Sequence, residues 1–270
     1  MMTETRSDEP TVAELFDLRG KRALVTGASG HLGGAMARAL AEAGASVVVS
    51  SRDLSRAQAV VAGLPARAGA VHQAVELDHM DEASLERGFG QAAGAPGGLD
   101  VLVANGHEPL AEDWTGVTGA QFTRQLANAT GYFLLARLMR HHAVERARPA
   151  SVILLGSMYG LVGSYPEAYE GVCPASPVAY HALKGGIVHL TRHLAVYWAR
   201  DGVRVNCLSP GPFPSAKAPP EMVGRLCERS PMKRMGLPHE LKGAVVFLAG
   251  EAASYMTGQN LVIDGGWTAW

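Results

Sequence analysis

The chain has 270 residues, 47% hydrophobic and 18% charged, with 24 Lys+Arg against 25 Asp+Glu for a formal net charge of −1. That balance excludes a strong field for nucleic acid or an anionic membrane, and the length suits one large α/β core. Three widely spaced cysteines, Cys173, Cys207 and Cys227, fit neither a disulfide framework nor a zinc site and point to a reducing, cytoplasmic setting with no metal. The polar, acidic start lacks the basic residues and apolar run of a signal peptide, and no stretch approaches a membrane span. Residues 1–14 are expected to form a flexible tail and residues 15–270 a single folded domain.

The first predicted strand, Lys21 to Thr26, runs into Gly27-Ala28-Ser29-Gly30-His31-Leu32-Gly33-Gly34 and then a helical stretch to Ala43 that Gly44 ends. A second strand follows at Ser46 to Ser50. Glycines between a strand and a helix let the backbone turn tightly and approach a pyrophosphate, which rests at the positive helix N-terminus. A glycine-rich connection without a ligand is the alternative.

At this point the chain resembles the short-chain dehydrogenase/reductase family, whose fingerprint is T-G-x-x-x-G-x-G. Thr26, Gly27 and Gly33 match; His31 replaces the middle glycine, with Gly30 one place earlier, so the spacing reads equally as G-x-x-G-x-x-G. The resemblance implies a doubly wound, Rossmann-type parallel sheet with helices on both faces and the ligand at the carboxyl strand ends. It places Gly27, Ser29, Gly30, His31, Leu32 and Gly33 on the dinucleotide.

The end of the second strand selects the cofactor, because an acidic residue there accepts the ribose hydroxyls and repels a 2′-phosphate. Ser51 stands where NAD-binding relatives carry aspartate, and Arg52 suits a phosphate. NADP(H) is therefore favoured over NAD(H). Asp53, one residue later, is the counter-indication unless it caps the helix beginning near Leu54.

Val71 to Leu77 is a strand candidate ending at Asp78, which by resemblance holds the adenine edge or else caps the next helix. The strand Asp100 to Ala104 reaches Asn105-Gly106-His107, where the family has N-N-A-G; Asn105 and Gly106 are read as cofactor-side or sheet-bracing residues. Phe122 to His142 has a helical pattern containing Asn128, poorly placed by propensity. In the family this asparagine holds a water in a proton relay with the active lysine; a satisfied core amide is the alternative. The buried strand Ser151 to Leu155 ends at Gly156-Ser157, like the family's S-S-x-x-G, so Ser157 is expected on the substrate oxygen.

The helix from Pro177 to Thr191 carries Tyr180 and Lys184, four apart and hence on one face. A phenol ionises near about pH 10, and bringing that to neutrality takes roughly 4 kcal/mol, which a fixed positive charge helps supply. The stretch between Ser157 and Tyr180 is longer than the family's, and its Tyr165, Glu167, Tyr169 and Glu170 are expected either to line a polar substrate pocket (loop about 158–177) or to form a surface loop. After a strand at about 203–208, Pro210, Gly211 and Phe213 are expected to wall the nicotinamide, with Ser215 near its carboxamide or the diphosphate. The region of about 212–235 is expected to act as a lid, with Met222, Leu226 and Cys227 facing either the pocket or the core. The ending Thr257-Gly258-Gln259 to Asp264-Gly265-Gly266 matches the family's last strand, which in relatives lies at a tetramer interface; Trp267 and Trp270 are expected between subunits of a homotetramer or homodimer.

Taken together, the resemblance implies a secondary alcohol/ketone oxidoreductase acting on a small, polar, sugar-like or polyol molecule, with Asn128, Ser157, Tyr180 and Lys184 as its catalytic set. A 3-oxoacyl thioester reductase is the alternative within the enzyme class. A non-catalytic dinucleotide-binding sensor is the alternative outside it.

Overall fold

The computed structural model describes residues 9–67 and 69–269. The expected tail at 1–8, and Trp270, lie outside the described residues. The strands are β1 (Arg22–Val25), β2 (Ser46–Ser51), β3 (Gln73–Glu76), β4 (Val101–Ala104), β5 (Ala150–Leu155), β6 (Val203–Pro210) and β7 (Asn260–Ile263). They form one sheet in the order β3-β2-β1-β4-β5-β6-β7, parallel throughout. The order reverses direction between β1 and β4, and in open α/β sheets the ligand crevice lies at such a switch point.

The helices are α1 (Val12–Leu15), α2 (His31–Glu42), α3 (Leu54–Ala62), α4 (Glu82–Ala93), α5 (Gly119–Glu145), α6 (Val178–Trp198), α7 (Pro220–Arg229) and α8 (Lys242–Ala249). On one face of the sheet α2 packs against α8; on the other, α5 packs against both α4 and α6. With both faces covered, β4 and β5 are buried at every position, as their unbroken apolar runs require. Among the described residues no helix is long and apolar enough to cross a membrane.

Local chemistry sets the boundaries. Gly44, at φ +99°, turns the chain out of α2 in a conformation that side chains rarely adopt. Asp53 starts α3 by accepting from the amides of Ser55 (2.9 Å) and Arg56 (3.3 Å), and Asp81 starts α4 by accepting from Ser84 (2.6 Å). Thr118 and Gln121 form a reciprocal capping box at α5.

Three expectations are corrected here. Residues 12–14, expected in the tail, begin α1, because Thr11 and Glu14 cap each other reciprocally. The strand expected over Val71 to Leu77 pairs with β2 only from Gln73 to Glu76; the Val71 amide donates to Ser46 Oγ instead. Trp267, expected between subunits, is 2% exposed within its own chain. It anchors a second apolar cluster with Met158, Ala168, Tyr169 and Leu226, joined by Tyr165, Met222 and Cys173. The long loop and α7 thus share a small core of their own, and the Tyr165 ring lies 5.3 Å from that of Trp267.

Candidate active site

The turn after β1 is built for close approach. Gly27 has φ +62°, and a Cβ there would sit 2.9 Å from the Gly106 Cα. A Cβ on Gly33 would lie inside contact distance of the Gly27 carbonyl and 2.6 Å from Asn105 Nδ2. Helix α2 begins at Gly30 with no side-chain cap, so its first amides and its positive end face the crevice without a protein anion. Thr26 Oγ1 accepts from the amides of Asn105 (2.9 Å) and Gly106 (3.0 Å), while Asn105 Nδ2 donates to the carbonyls of Thr26 (3.1 Å) and Gly27 (3.2 Å). Asn105 and Gly106 therefore brace the β1 and β4 ends against each other.

A cavity of about 590 Å³ opens along this turn. Its walls include Gly27, Ser29, Gly30, His31, Leu32, Gly33, Ser51, Arg52, Asn105 and Gly106, all expected there, together with Arg56, His79 and His107, which sequence reasoning missed. Asp53 also borders it, with its carboxylate committed to the α3 cap. Ser51 takes a contact of 3.3 Å from Ser29 Oγ. The exposed Arg52 guanidinium is 3.8 Å from Glu108, whose carboxylate is held by Arg124. A dinucleotide fits these walls: glycines where a Cβ would intrude, an uncapped helix start, and guanidinium groups beyond β2.

The cavity continues, past shared walls of Leu32, Asn105 and His107, into one of about 250 Å³ lined by Leu155, Gly156, Ser157, Tyr180, Lys184, Pro210, Gly211 and Phe213. Here the ends of β4, β5 and β6 meet the first turns of α6. Another large cavity, about 570 Å³, lies at the opposite, amino ends of the strands, where doubly wound folds do not bind substrate.

Lys184 is 4% exposed, and its ammonium donates to the Leu155 carbonyl at 2.6 Å. The same nitrogen stands 5.5 Å from the Tyr180 ring centre and 5.3 Å from that of Tyr132. Among the described residues no carboxylate answers it, and burial pulls its pKa down to about 8. Burial also raises the Tyr180 phenol above its ordinary value, opposed by a hydrogen bond with the Ser157 side chain. The lysine therefore lies behind the tyrosine ring rather than on its oxygen, and in this structure it does not bring the phenol down as the spacing suggested.

Asn128 sits behind the site. It is fully buried, its Oδ1 accepts from His79 Nε2 (2.8 Å) and the Glu108 amide (2.8 Å), and its Nδ2 donates to the carbonyls of Gln125 (2.9 Å) and Glu108 (3.3 Å). All four hydrogen-bonding positions of its side-chain amide are thus filled by protein groups. Asp78 does not line the crevice: its carboxylate accepts from the Met80 amide (2.9 Å), and His79 takes the cavity wall. Ser215 is exposed, outside both cavities, and accepts from the Lys217 amide (3.3 Å). The 158–177 loop contributes no wall to either cavity; Tyr169 is buried against α7, its hydroxyl 2.8 Å from that of Tyr159. The signal for His79 and His107 was in the sequence, as polar residues beside positions that had been singled out, but only the folded turns aim them inward.

Comparison with known proteins agrees with this geometry. The family model described as enoyl-(acyl carrier protein) reductase matches residues 27–268. Sorbose reductase of Schizosaccharomyces pombe is 32% identical over 269 residues, covering 95% of this chain and 99% of that protein. A short-chain type dehydrogenase/reductase from Mycobacterium marinum has a crystal structure with a TM-score of 0.86 at 33% identity, covering 97% of this chain and 100% of the other. Gluconate 5-dehydrogenase from Burkholderia cenocepacia, solved in complex with NADP and tartrate, gives a TM-score of 0.84 at 26% identity, over 96% of this chain and 100% of the other. A glycine crevice at the switch point, a buried lysine under a tyrosine, and likeness along nearly the whole chain have one meaning: this chain belongs to the short-chain dehydrogenase/reductase family, oxidoreductases that work with a nicotinamide dinucleotide.

Proposed function

We propose that the protein interconverts a secondary alcohol and a ketone on a polar, sugar-like or polyol substrate, with NADP(H) preferred. The observation that carries this reading is the convergence of Ser157, Tyr180 and Lys184 on one small cavity that opens into the dinucleotide crevice. A bound nicotinamide supplies or accepts the hydride. Tyr180 moves the matching proton at its phenol oxygen, and Ser157 hydrogen-bonds the substrate oxygen where charge develops. Lys184, a buried cation with one protein acceptor, binds ribose hydroxyls and favours the phenolate once they order it. Pro210, Gly211 and Phe213 close the far wall. Asn128 acts by holding the 107–108 turn in place.

The preference for NADP(H) is supported by Ser51, Arg52 and Arg56 at the end of β2 and by the use of Asp53 as a helix cap. It is also in keeping with the NADP bound to the Burkholderia cenocepacia enzyme. The polar substrate class follows the relatives, which are named for sorbose and gluconate. The acyl carrier protein named in the description of the matching family model supports a second reading, a 3-oxoacyl thioester reductase. A cytoplasmic homotetramer or homodimer completes the proposal. The three cysteines are free, β7 is an open sheet edge that is nowhere fully buried, and Val196 and Tyr197 are exposed on α6.

The test is dinucleotide oxidation by purified protein with sorbose, a keto-gluconate, cyclohexanone and an acyl-thioester surrogate, using NADPH and NADH in parallel. Turnover of the keto-sugars that is lost by several orders of magnitude in Tyr180→Phe is the expected result. Arg52→Ala should raise the KM for NADPH at least about tenfold and leave that for NADH unchanged, since a charge-assisted phosphate contact is worth roughly 1.5–3 kcal/mol. Reduction of the 3-oxo group of the acyl-thioester surrogate alone selects the second reading, and near-normal turnover in Tyr180→Phe rejects the proposed chemistry.

A further inference from the structure

His107 stands where the family pattern has a glycine, and nothing in the chemistry above uses it. Its backbone is pinned on both sides: the Gly106 amide donates to Thr26 Oγ1 at 3.0 Å, and the Glu108 amide donates to Asn128 Oδ1 at 2.8 Å. Its ring is pinned as well. Gln125, 3% exposed, places its amide nitrogen 3.2 Å from His107 Nε2. An amide nitrogen only donates, so with Gln125 in this orientation Nε2 accepts and the single ring proton is assigned to Nδ1.

That Nδ1 is buried and has no oxygen or nitrogen partner. An unsatisfied buried donor is costly and calls for an explanation. An aromatic ring packs against that of His107: the His107 and Tyr180 ring centres are 5.4 Å apart and the planes 77° from coplanar, an edge-to-face pair. An N–H pointed at the negative face of an aromatic ring makes a weak hydrogen bond, and the bond strengthens as the ring gains negative charge. Burial, together with the positive Lys184, keeps His107 neutral by pulling its pKa to about 3, so the ring offers a dipole and not a second cation.

We propose that His107 is a positioning residue for Tyr180: its Nδ1–H, set against the phenol ring, holds that ring and stabilises the negative charge that builds on it during proton transfer. The inference rests on the reading of Tyr180 as the proton-transferring group. The other titratable or charged groups around Tyr180 are Lys184 on its own helix, Tyr159 beyond β5 and Tyr132 on α5; Ser157 meets the phenol as a hydrogen-bonding hydroxyl. Tyr132 and Tyr159 both stay protonated, because burial raises them, so neither competes as an ion at working pH.

The experiment compares His107→Phe, which keeps a ring edge but removes the N–H, with His107→Asn, whose amide N–H falls near the Nδ1 position. Both lose the contact with Gln125, so a merely structural effect moves them together. Ionisation of Tyr180 is read directly from the phenolate absorbance, as the difference between each protein and its Tyr180→Phe partner, with NADP+ bound. The kcat pH profile is read separately. In His107→Phe the Tyr180 midpoint should rise by about half a unit to one unit, and His107→Asn should recover at least half of that rise. Equal midpoints in the wild type and His107→Phe, or equal shifts in the two variants, overturn the inference. A shifted absorbance midpoint with no matching shift in the kinetic profile supports the ring contact and instead rejects Tyr180 as the proton-transferring group.

Discussion

Lys184 sets stability against function, and replacing it with methionine should stabilise the protein free of dinucleotide. The ammonium is 4% exposed, makes one hydrogen bond and has its pKa pulled from 10.5 to about 8 by burial. A depressed lysine pKa means that the unfolded chain binds the proton more tightly than the fold does. Below pH 8 the proton stays on in both states and the penalty is complete, at about 3 kcal/mol. As pH rises through 8 the folded protein sheds the proton first, and by pH 10 the penalty is under about 1 kcal/mol.

Lys184→Met also strands the Leu155 carbonyl. That group lies beyond Ala104↔Leu154, the last register pair between β4 and β5, and leaving it unpaired costs about 1 kcal/mol. The net gain at pH 7 is therefore about 2 kcal/mol, or roughly 4–8 °C in Tm for a domain of this size. Thermal melts of both proteins at pH 7 and pH 10, without dinucleotide, read it directly. The advantage should be present at pH 7 and gone at pH 10, while activity is lost at both. A variant less stable at pH 7, or an advantage that does not change with pH, refutes the view of Lys184 as an unrelieved buried cation.

Two further outcomes follow from packing. Gly33→Ala drives a methyl group into the Gly27 carbonyl and to 2.6 Å from Asn105 Nδ2. The turn must shift, so dinucleotide binding measured by fluorescence quenching should weaken at least about tenfold, with an overpacking cost of about 1–3 kcal/mol in chemical denaturation. Unchanged affinity means that the turn does not hold the pyrophosphate closely. Trp267→Ala removes the side chain that joins the long loop to α7, and should cost about 3–5 kcal/mol. Limited proteolysis should then cut first within residues 161–176 or just before α7; an unaltered cleavage pattern argues against a shared core for these segments.

Much of the architecture was legible before any coordinates. Periodicity and turn chemistry mark β1, the glycine turn, α2 and the buried β5, because these segments obey strong local rules: an unbroken apolar run between helical layers, or a glycine where the backbone must bend. The Tyr180 and Lys184 spacing likewise needs only a helix to put both side chains on one face. Segments with weak local signals were read less well. Val71 is apolar but lies outside the sheet pairing, because register with β2 is set by hydrogen bonds between distant segments.

What the sequence by itself determined, then, is the order of the elements, the family, the glycine cradle and the identity of the groups at the strand ends. Tertiary structure alone decided how those groups are used. Asn128 fills all four of its hydrogen bonds because the 107–108 turn, Gln125 and His79 happen to close around it. Trp267 is buried by the 158–177 loop and α7, segments far apart in the chain, and so it does not wait for a partner subunit. Lys184 and His107 carry shifted pKa values because burial depends on what packs around a side chain, and local spacing says nothing about that.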